Sequence, residues 1–69
     1  MKYGARNQLR GKVAAIKRGA VMAQVTVDIG GGQRMSSVMT ADTVRDLKLK
    51  KGDRVLVLAK AVNVMLVKE

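Results

Sequence analysis

The amino-acid sequence predicts an all-β fold, a small five-stranded barrel with one short helix between the third and fourth strands. The chain has 69 residues and no proline, so its seven glycines mark the turns. Residues 22–29 fall into two alternating sets, one of them wholly apolar, and this is the period of a half-buried strand. The period changes near residues 40–47, where polar capping residues precede apolar residues at helical spacing.

The predicted elements follow one another with short connections. The five predicted strands are residues 9–17, 22–29, 34–40, 55–59 and 62–67. Residues 17–19, the triplet Gly30-Gly31-Gly32 and residues 50–53 are predicted turns, and the triplet is a strong hairpin signal. Residues 40–47 are predicted to hold a helix of one or two turns. Five short strands with this one helix are typical of an OB-type barrel.

Apolar residues occupy both faces of the last two predicted strands. Leu56, Leu58, Met65 and Val67 are additional to the set that a half-buried strand needs. Two interpretations remain open, a second face buried against another subunit or strands buried in the core on both sides. A domain of this size buries only about 60% of its unfolded surface. Without cysteines for disulfides, oligomerisation is the expected source of further stability.

The formal net charge of +9 predicts an anionic partner. Charge alone does not separate nucleic acid from a small oxyanion. Single-strand binding usually uses aromatic side chains on which bases stack, and Tyr3 is the only aromatic residue, which argues against nucleic acid. The longest apolar run, residues 55–59, is far shorter than a membrane span, and the first residues do not resemble a signal peptide. We therefore expect a soluble protein that does not enter a membrane.

The side chains needed for catalysis are missing or dispersed. There is no histidine and no cysteine, and the five carboxylates are scattered along the chain. A nucleophile with its base, a carboxylate pair and a transition-metal site are therefore not expected. The sequence predicts that this protein is not an enzyme.

Three segments, in this order, resemble the molbindins, small intracellular proteins that hold molybdate or tungstate. The first is Ala-Arg-Asn-Gln-Leu-Arg-Gly-Lys-Val at residues 5–13. The second is Thr-Ala-Asp-Thr at residues 40–43, and the third runs from Gly-Asp-Arg-Val at residues 52–55 to residues 60–65. Because the resemblance covers essentially the whole chain, residues 1–69 are expected to form a single molbindin (Mop-type) domain.

The resemblance implies an OB-like (MOP-like) barrel with strand exchange between partners. It also implies a cytoplasmic homohexamer, a trimer of dimers, with oxyanions bound at the subunit interfaces. Arg6 and Lys60 match the two cationic positions of the family site. Ala61 matches a small residue whose backbone N–H faces the anion. Asn7 and Gln8 are interpreted as structural residues that fix the first strand.

The remaining predicted site residues are two threonines and the segment that begins at Gly4. Thr40 and Thr43 match hydroxyl donors that a neighbouring subunit supplies in the family. Gly4 departs from the pattern, because many relatives have serine there, although the backbone N–H of Gly4 or Ala5 remains available as a donor. These assignments come from the resemblance. Without it, the threonines are simply helix caps.

The residue types suit a tetrahedral dianion whose oxygens all accept hydrogen bonds. Such an anion calls for a pocket of donors, and bonds from cationic donors are about twice as strong as neutral ones. Together with this donor set, the resemblance to the molbindins implies intracellular binding and storage of molybdate or tungstate as the bound ligand. Two alternatives remain, an OB-fold oligonucleotide-binding module and an accessory subunit of a molybdate regulator or transporter.

Overall fold

The computed structural model describes residues 4–69 and confirms an all-β chain with one short α-helix between the third and fourth strands. In chain order the elements are β1 (Asn7–Arg18), β2 (Met22–Gly30), β3 (Gln33–Thr40), α1 (Ala41–Asp46), β4 (Arg54–Ala59) and a 3₁₀ turn (Ala61–Asn63). The first four predicted strands are confirmed to within two residues at each end.

The strands form one antiparallel sheet in the order β3-β2-β1-β4. Strand β1 is the longest, with 12 residues, and it serves two neighbours. Its residues 7–12 pair with β4 and its residues 12–18 pair with β2. The register shifts between Val13 and Ala15, so Ala14 is the extra residue of a β-bulge where β1 changes partner.

The predicted glycine hairpin joins β2 to β3. Gly30 pairs with Gln33, which leaves Gly31 and Gly32 as the two central residues of the turn. Their φ angles are 61° and 75°. Two-residue hairpin turns of type I′ need positive φ at both positions, and glycine adopts it without steric cost. The triplet is therefore required by the turn geometry.

The core lies on one face of the sheet and is closed by α1. Ala23, Val25 and Val27 are buried, which confirms the predicted inward face of β2. Val13 of β1 joins them, and Val44 of α1, with 0% of its surface exposed, covers the group. The helix is tied to the sheet at its start, where the Ala41 N–H donates to the Val21 carbonyl at 2.7 Å.

The predicted fifth strand at residues 62–67 is wrong for the single chain, and so is the closed five-stranded barrel. Val64 has extended dihedral angles, but the chain turns away from β4 through the 3₁₀ turn. A strand also needs a neighbour for its backbone hydrogen bonds, and none of the described pairings supplies one. The sheet is consequently open, with β3 and β4 as its two edges, and Leu66 is 92% exposed.

The two faces of β4 differ in burial. Val55 and Val57 pack against the core, whereas Leu56 and Leu58 are each 42% exposed on the opposite face. The interpretation of this strand as buried on both sides is therefore wrong for the single chain. Burial of these leucines against another subunit stays a prediction.

Candidate functional site

The end of the β1–β4 pair brings together the predicted cationic residues. The last paired residues are Asn7 and Ala59, and the Asn7 Nδ2 atom donates to the Ala59 carbonyl at 3.2 Å. Arg6 directly precedes Asn7 and Lys60 directly follows Ala59, so both cations lie at the same end of the β1–β4 pair. Both side chains are exposed. We call residues 4–6 with Lys60 and Ala61 the cationic half-site.

Backbone atoms of the cationic half-site are fixed by two kinds of contact. The Gln8 Nε2 atom donates to the Ala5 carbonyl at 3.3 Å, which holds the segment that precedes β1. The Lys60 carbonyl accepts the Asn63 N–H at 2.9 Å, so Ala61 begins the 3₁₀ turn. The bonds from Asn7 and Gln8 agree with the structural role predicted for both residues. The half-site therefore rests on backbone that its own neighbours hold in place.

The two threonines form a second group at the start of α1, which we call the hydroxyl half-site. Thr40 is the N-cap, and its Oγ1 accepts the Thr43 N–H at 3.1 Å. The two Oγ1 atoms lie 2.7 Å apart and share one hydrogen bond. Because that bond uses only one of the two hydroxyl hydrogens, the pair retains one O–H that can donate to a ligand.

The two half-sites lie at opposite ends of β1 in the single chain. Thr40 pairs with Met22 at the start of β2, beside the end of β1 at Arg18, whereas the cationic half-site precedes Asn7. The 12 residues of β1, at about 3.3 Å each, make a strand path of roughly 36–40 Å. The structure thus brings the seven predicted site residues into two groups. Their union across a subunit interface stays a prediction.

No carboxylate of residues 4–69 forms an ion pair with the cationic half-site. Within residues 4–69, the ion pairs join Arg45 to Asp42 at 3.0 Å and Arg45 to Asp46 at 3.9 Å. Arg6 and Lys60 form no ion pair with any described residue. Asp42, the carboxylate nearest in sequence to the hydroxyl half-site, already has Arg45 as its partner. The cationic side chains of this half-site are therefore not engaged in an ion pair with a described residue and can donate to an anion.

Other types of site find no support in the described part of the chain. Across residues 4–69 there is no group of three or more acidic, histidine or cysteine side chains placed to hold a metal ion. No helix in that range is long and apolar enough to cross a membrane.

Comparisons with known proteins agree with the fold and with the resemblance. The family model described as the TOBE domain matches residues 4–66. Molybdenum-pterin-binding protein 3 of Clostridium pasteurianum is 41% identical over 66 residues, which are 96% of this chain and 97% of that protein. A molybdate-binding protein from Sporomusa ovata superposes with a TM-score of 0.91 at 38% identity, over 99% of this chain and 100% of that one.

A larger protein contains the same fold. The cytoplasmic molybdate-binding protein ModG, solved with molybdate bound, has a TM-score of 0.83 at 43% sequence identity. The match covers 88% of this chain and 43% of the ModG chain. The family match covers most of the chain, and the Clostridium and Sporomusa proteins match it over nearly their whole lengths. The chain therefore belongs to the TOBE domain family and is similar throughout to the small molybdenum-pterin-binding proteins, which confirms the predicted resemblance to the molbindins.

Proposed function

We propose that this protein binds molybdate or tungstate between copies of itself and stores it in the cytoplasm. The observation that carries the proposal is the separation of the two half-sites. Each offers part of a donor set suited to a tetrahedral oxyanion, and neither is complete in one chain. The relatives described above, which are named for binding molybdate or molybdenum-pterin, support the choice of ligand.

The hydrogen-bond donors of the two half-sites suit an anion that carries no proton. Arg6 and Lys60 supply charge-assisted hydrogen bonds, and the backbone N–H groups of Ala5 and Ala61 add neutral ones. The threonine pair contributes the hydroxyl hydrogen that its internal bond leaves over. A pocket of donors disfavours hydrogen phosphate, whose proton needs an acceptor. This composition also favours binding over catalysis, because no described group is placed to act as a general base.

The C-terminal segment supports assembly. Val62, Met65, Leu66 and Val67 are between 87% and 92% exposed in the single chain. Burying one such side chain stabilises an assembly by roughly 1.5–3 kcal/mol. The sheet meanwhile has open edges at β3 and β4. We propose that the segment of one copy lies along an open edge of another and closes its OB-like barrel.

The position of this segment links assembly to the site. Residues 62–67 follow directly after Lys60 and Ala61. When this segment docks on a neighbouring copy, the donors of Lys60 and Ala61 are therefore brought close to that copy. The neighbour's hydroxyl half-site begins where its β3 edge ends, at Thr40. A homohexamer built as a trimer of dimers, as the molbindin resemblance implies, satisfies this arrangement.

Native mass spectrometry of the purified protein tests ligand and assembly together. The protein is measured alone and with molybdate, tungstate or sulfate. We expect a hexamer that gains several molybdate or tungstate ions and few sulfate ions. A monomer at micromolar concentration would contradict the interfacial site. A hexamer that takes up all three anions equally and weakly would contradict the oxyanion specificity.

A further inference from the structure

The face of the sheet that points away from the core is strongly basic. We call it the outer face. Residues paired directly across an antiparallel sheet share a face, so the register assigns its members. One row crosses all four strands through Arg34, Asp28, Lys12 and Arg54. Arg10 and Lys17 lie on the same face, so five cationic side chains face one carboxylate and leave an excess of four positive charges.

Two of these cations repel each other directly. Lys12 and Arg54 are cross-strand partners, and like charges in that position destabilise a sheet. The one carboxylate, Asp28, is partly engaged, because its Oδ1 accepts the Gly30 N–H at 2.8 Å. None of the five cations forms an ion pair with another residue of the described range. A bound polyanion would remove this repulsion.

The shape of the outer face suits an extended partner. A groove of about 750 Å³ is lined by Arg10, Lys12, Arg54 and Asp28 of the outer face, and also by Ile29 and Val55, which pack against the core. The row from Arg34 to Arg54 spans three strand spacings, or about 14 Å. One tetrahedral anion cannot contact cations spread over that distance. Phosphates repeated along a nucleic-acid backbone can do so.

The side chains also select the form of nucleic acid. Residues 4–69 contain no aromatic side chain on which an unpaired base could stack. The backbone of a duplex presents its charges outward and needs no stacking. We propose that the outer face binds the phosphate backbone of duplex nucleic acid without sequence preference. None of these five cations belongs to either half-site, so the proposal does not depend on oxyanion binding. Leu56 lies on the same face as its partner Arg10, so the proposal requires that assembly leave the cationic row uncovered.

Two variants of equal net charge test the proposal. The face variant combines Arg10→Gln, Lys12→Gln and Arg54→Gln. The control variant combines Lys48→Gln, Lys51→Gln and Lys68→Gln, which remove three exposed charges outside the outer face. Fluorescence anisotropy with a labelled duplex of mixed sequence is measured between about 50 and 200 mM salt. Each neutralised phosphate contributes about 0.9 to the slope of log K against log salt.

We expect the original protein and the control variant to bind with a steep salt dependence. The face variant should lose up to about 2.7 from that slope, because three cations are gone. If both variants weaken duplex binding equally, binding depends on total charge and not on the outer face, and the proposal is overturned. Undetectable duplex binding at about 50 mM salt would also overturn it, as would tighter binding to anionic lipid vesicles.

A charge-preserving variant separates electrostatics from misfolding. Arg10→Lys, Lys12→Arg and Arg54→Lys keep every charge on the outer face, so duplex binding should remain. Loss of binding in this variant, with its thermal unfolding unchanged, would contradict a backbone contact made through charge.

Discussion

Replacing Lys60 by alanine should weaken oxyanion binding without lowering the stability of the ligand-free protein. Lys60 and Arg6 flank the last pair of the β1–β4 ladder, Asn7 with Ala59, and both side chains are exposed. Without ligand, the two positive charges repel each other. Like charges opposite one another in a sheet cost roughly 0.2–1 kcal/mol, and solvent screening places this pair toward the lower end. Lys60→Ala should therefore leave the unfolding free energy of the ligand-free protein unchanged or slightly raised.

Affinity for the oxyanion should fall in the same variant. The lost bond is charge-assisted, and bonds to charged groups contribute about 1.5–3 kcal/mol. This range corresponds to a dissociation constant about 10- to 150-fold higher, since about 1.4 kcal/mol is a factor of ten. Arg6→Ala should behave alike. Isothermal titration calorimetry with molybdate measures the affinity, and urea unfolding at fixed protein concentration measures the stability.

Two outcomes for the Lys60→Ala variant would contradict this reasoning. A Lys60→Ala variant that binds molybdate with unchanged affinity would show that the cationic half-site is wrongly assigned. A variant that loses more than about 1 kcal/mol of ligand-free stability would show that Lys60 has a structural role instead, because repulsion predicts no loss. Lys51→Ala, at an exposed lysine in the turn before β4, is the control and should change neither quantity.

Four further outcomes follow from the geometry. Gly4→Ser should tighten molybdate binding about 2- to 12-fold in calorimetry, because a hydrogen bond is worth about 0.5–1.5 kcal/mol and no described residue beyond the chain neighbours lies within 4 Å of the added Cβ. Unchanged affinity would place Gly4 outside the site. Thr40→Ala should cost about 1 kcal/mol of unfolding free energy by removing the helix N-cap, and Thr40→Ser should restore most of it. Leu66→Asp should shift size-exclusion light scattering toward smaller species, and an unaltered mass would contradict docking of the C-terminal segment. Gly11→Ala should cost about 1–3 kcal/mol in urea unfolding, because its Cβ would lie 2.8 Å from the Asp28 carbonyl oxygen, and equal stability would contradict that close approach.

Local signals in the sequence predicted most of the local structure. Gly31 and Gly32 marked a turn that only positive φ angles can make, and both residues adopt them. The alternation of Ala23, Val25 and Val27 identified the buried face of β2, since one side of an antiparallel strand packs on the core. The hydroxyl of Thr40 marked the start of α1, where it caps a free N–H. Each of these features depends on residues close together in the chain.

Features that depend on residues far apart in the sequence were harder to predict from local sequence signals. Residues 62–67 have the composition of a strand, but composition cannot supply the neighbour that a strand needs. Arg6 and Lys60 are far apart in sequence, and only the family resemblance linked them before the β1–β4 register paired their neighbours Asn7 and Ala59. The basic outer face likewise depends on the pairing of four strands. Its local signal, cations at alternate positions Arg10 and Lys12, is equally typical of an ordinary solvated strand.

The bulge at Ala14 also determines where the length of this chain can vary. Val13 points towards the core, so strict alternation along β1 would direct Lys17 inward and Ile16 outward. The extra residue Ala14 shifts the alternation by one, and Ile16 packs against the core while Lys17 points outward. Removing Ala14 would therefore leave every flanking side chain on its present face and would only straighten β1. Removing a residue elsewhere in β1 would exchange the faces of all residues between the deletion and the bulge. Natural variants shortened by one residue in this strand should consequently be found at position 14.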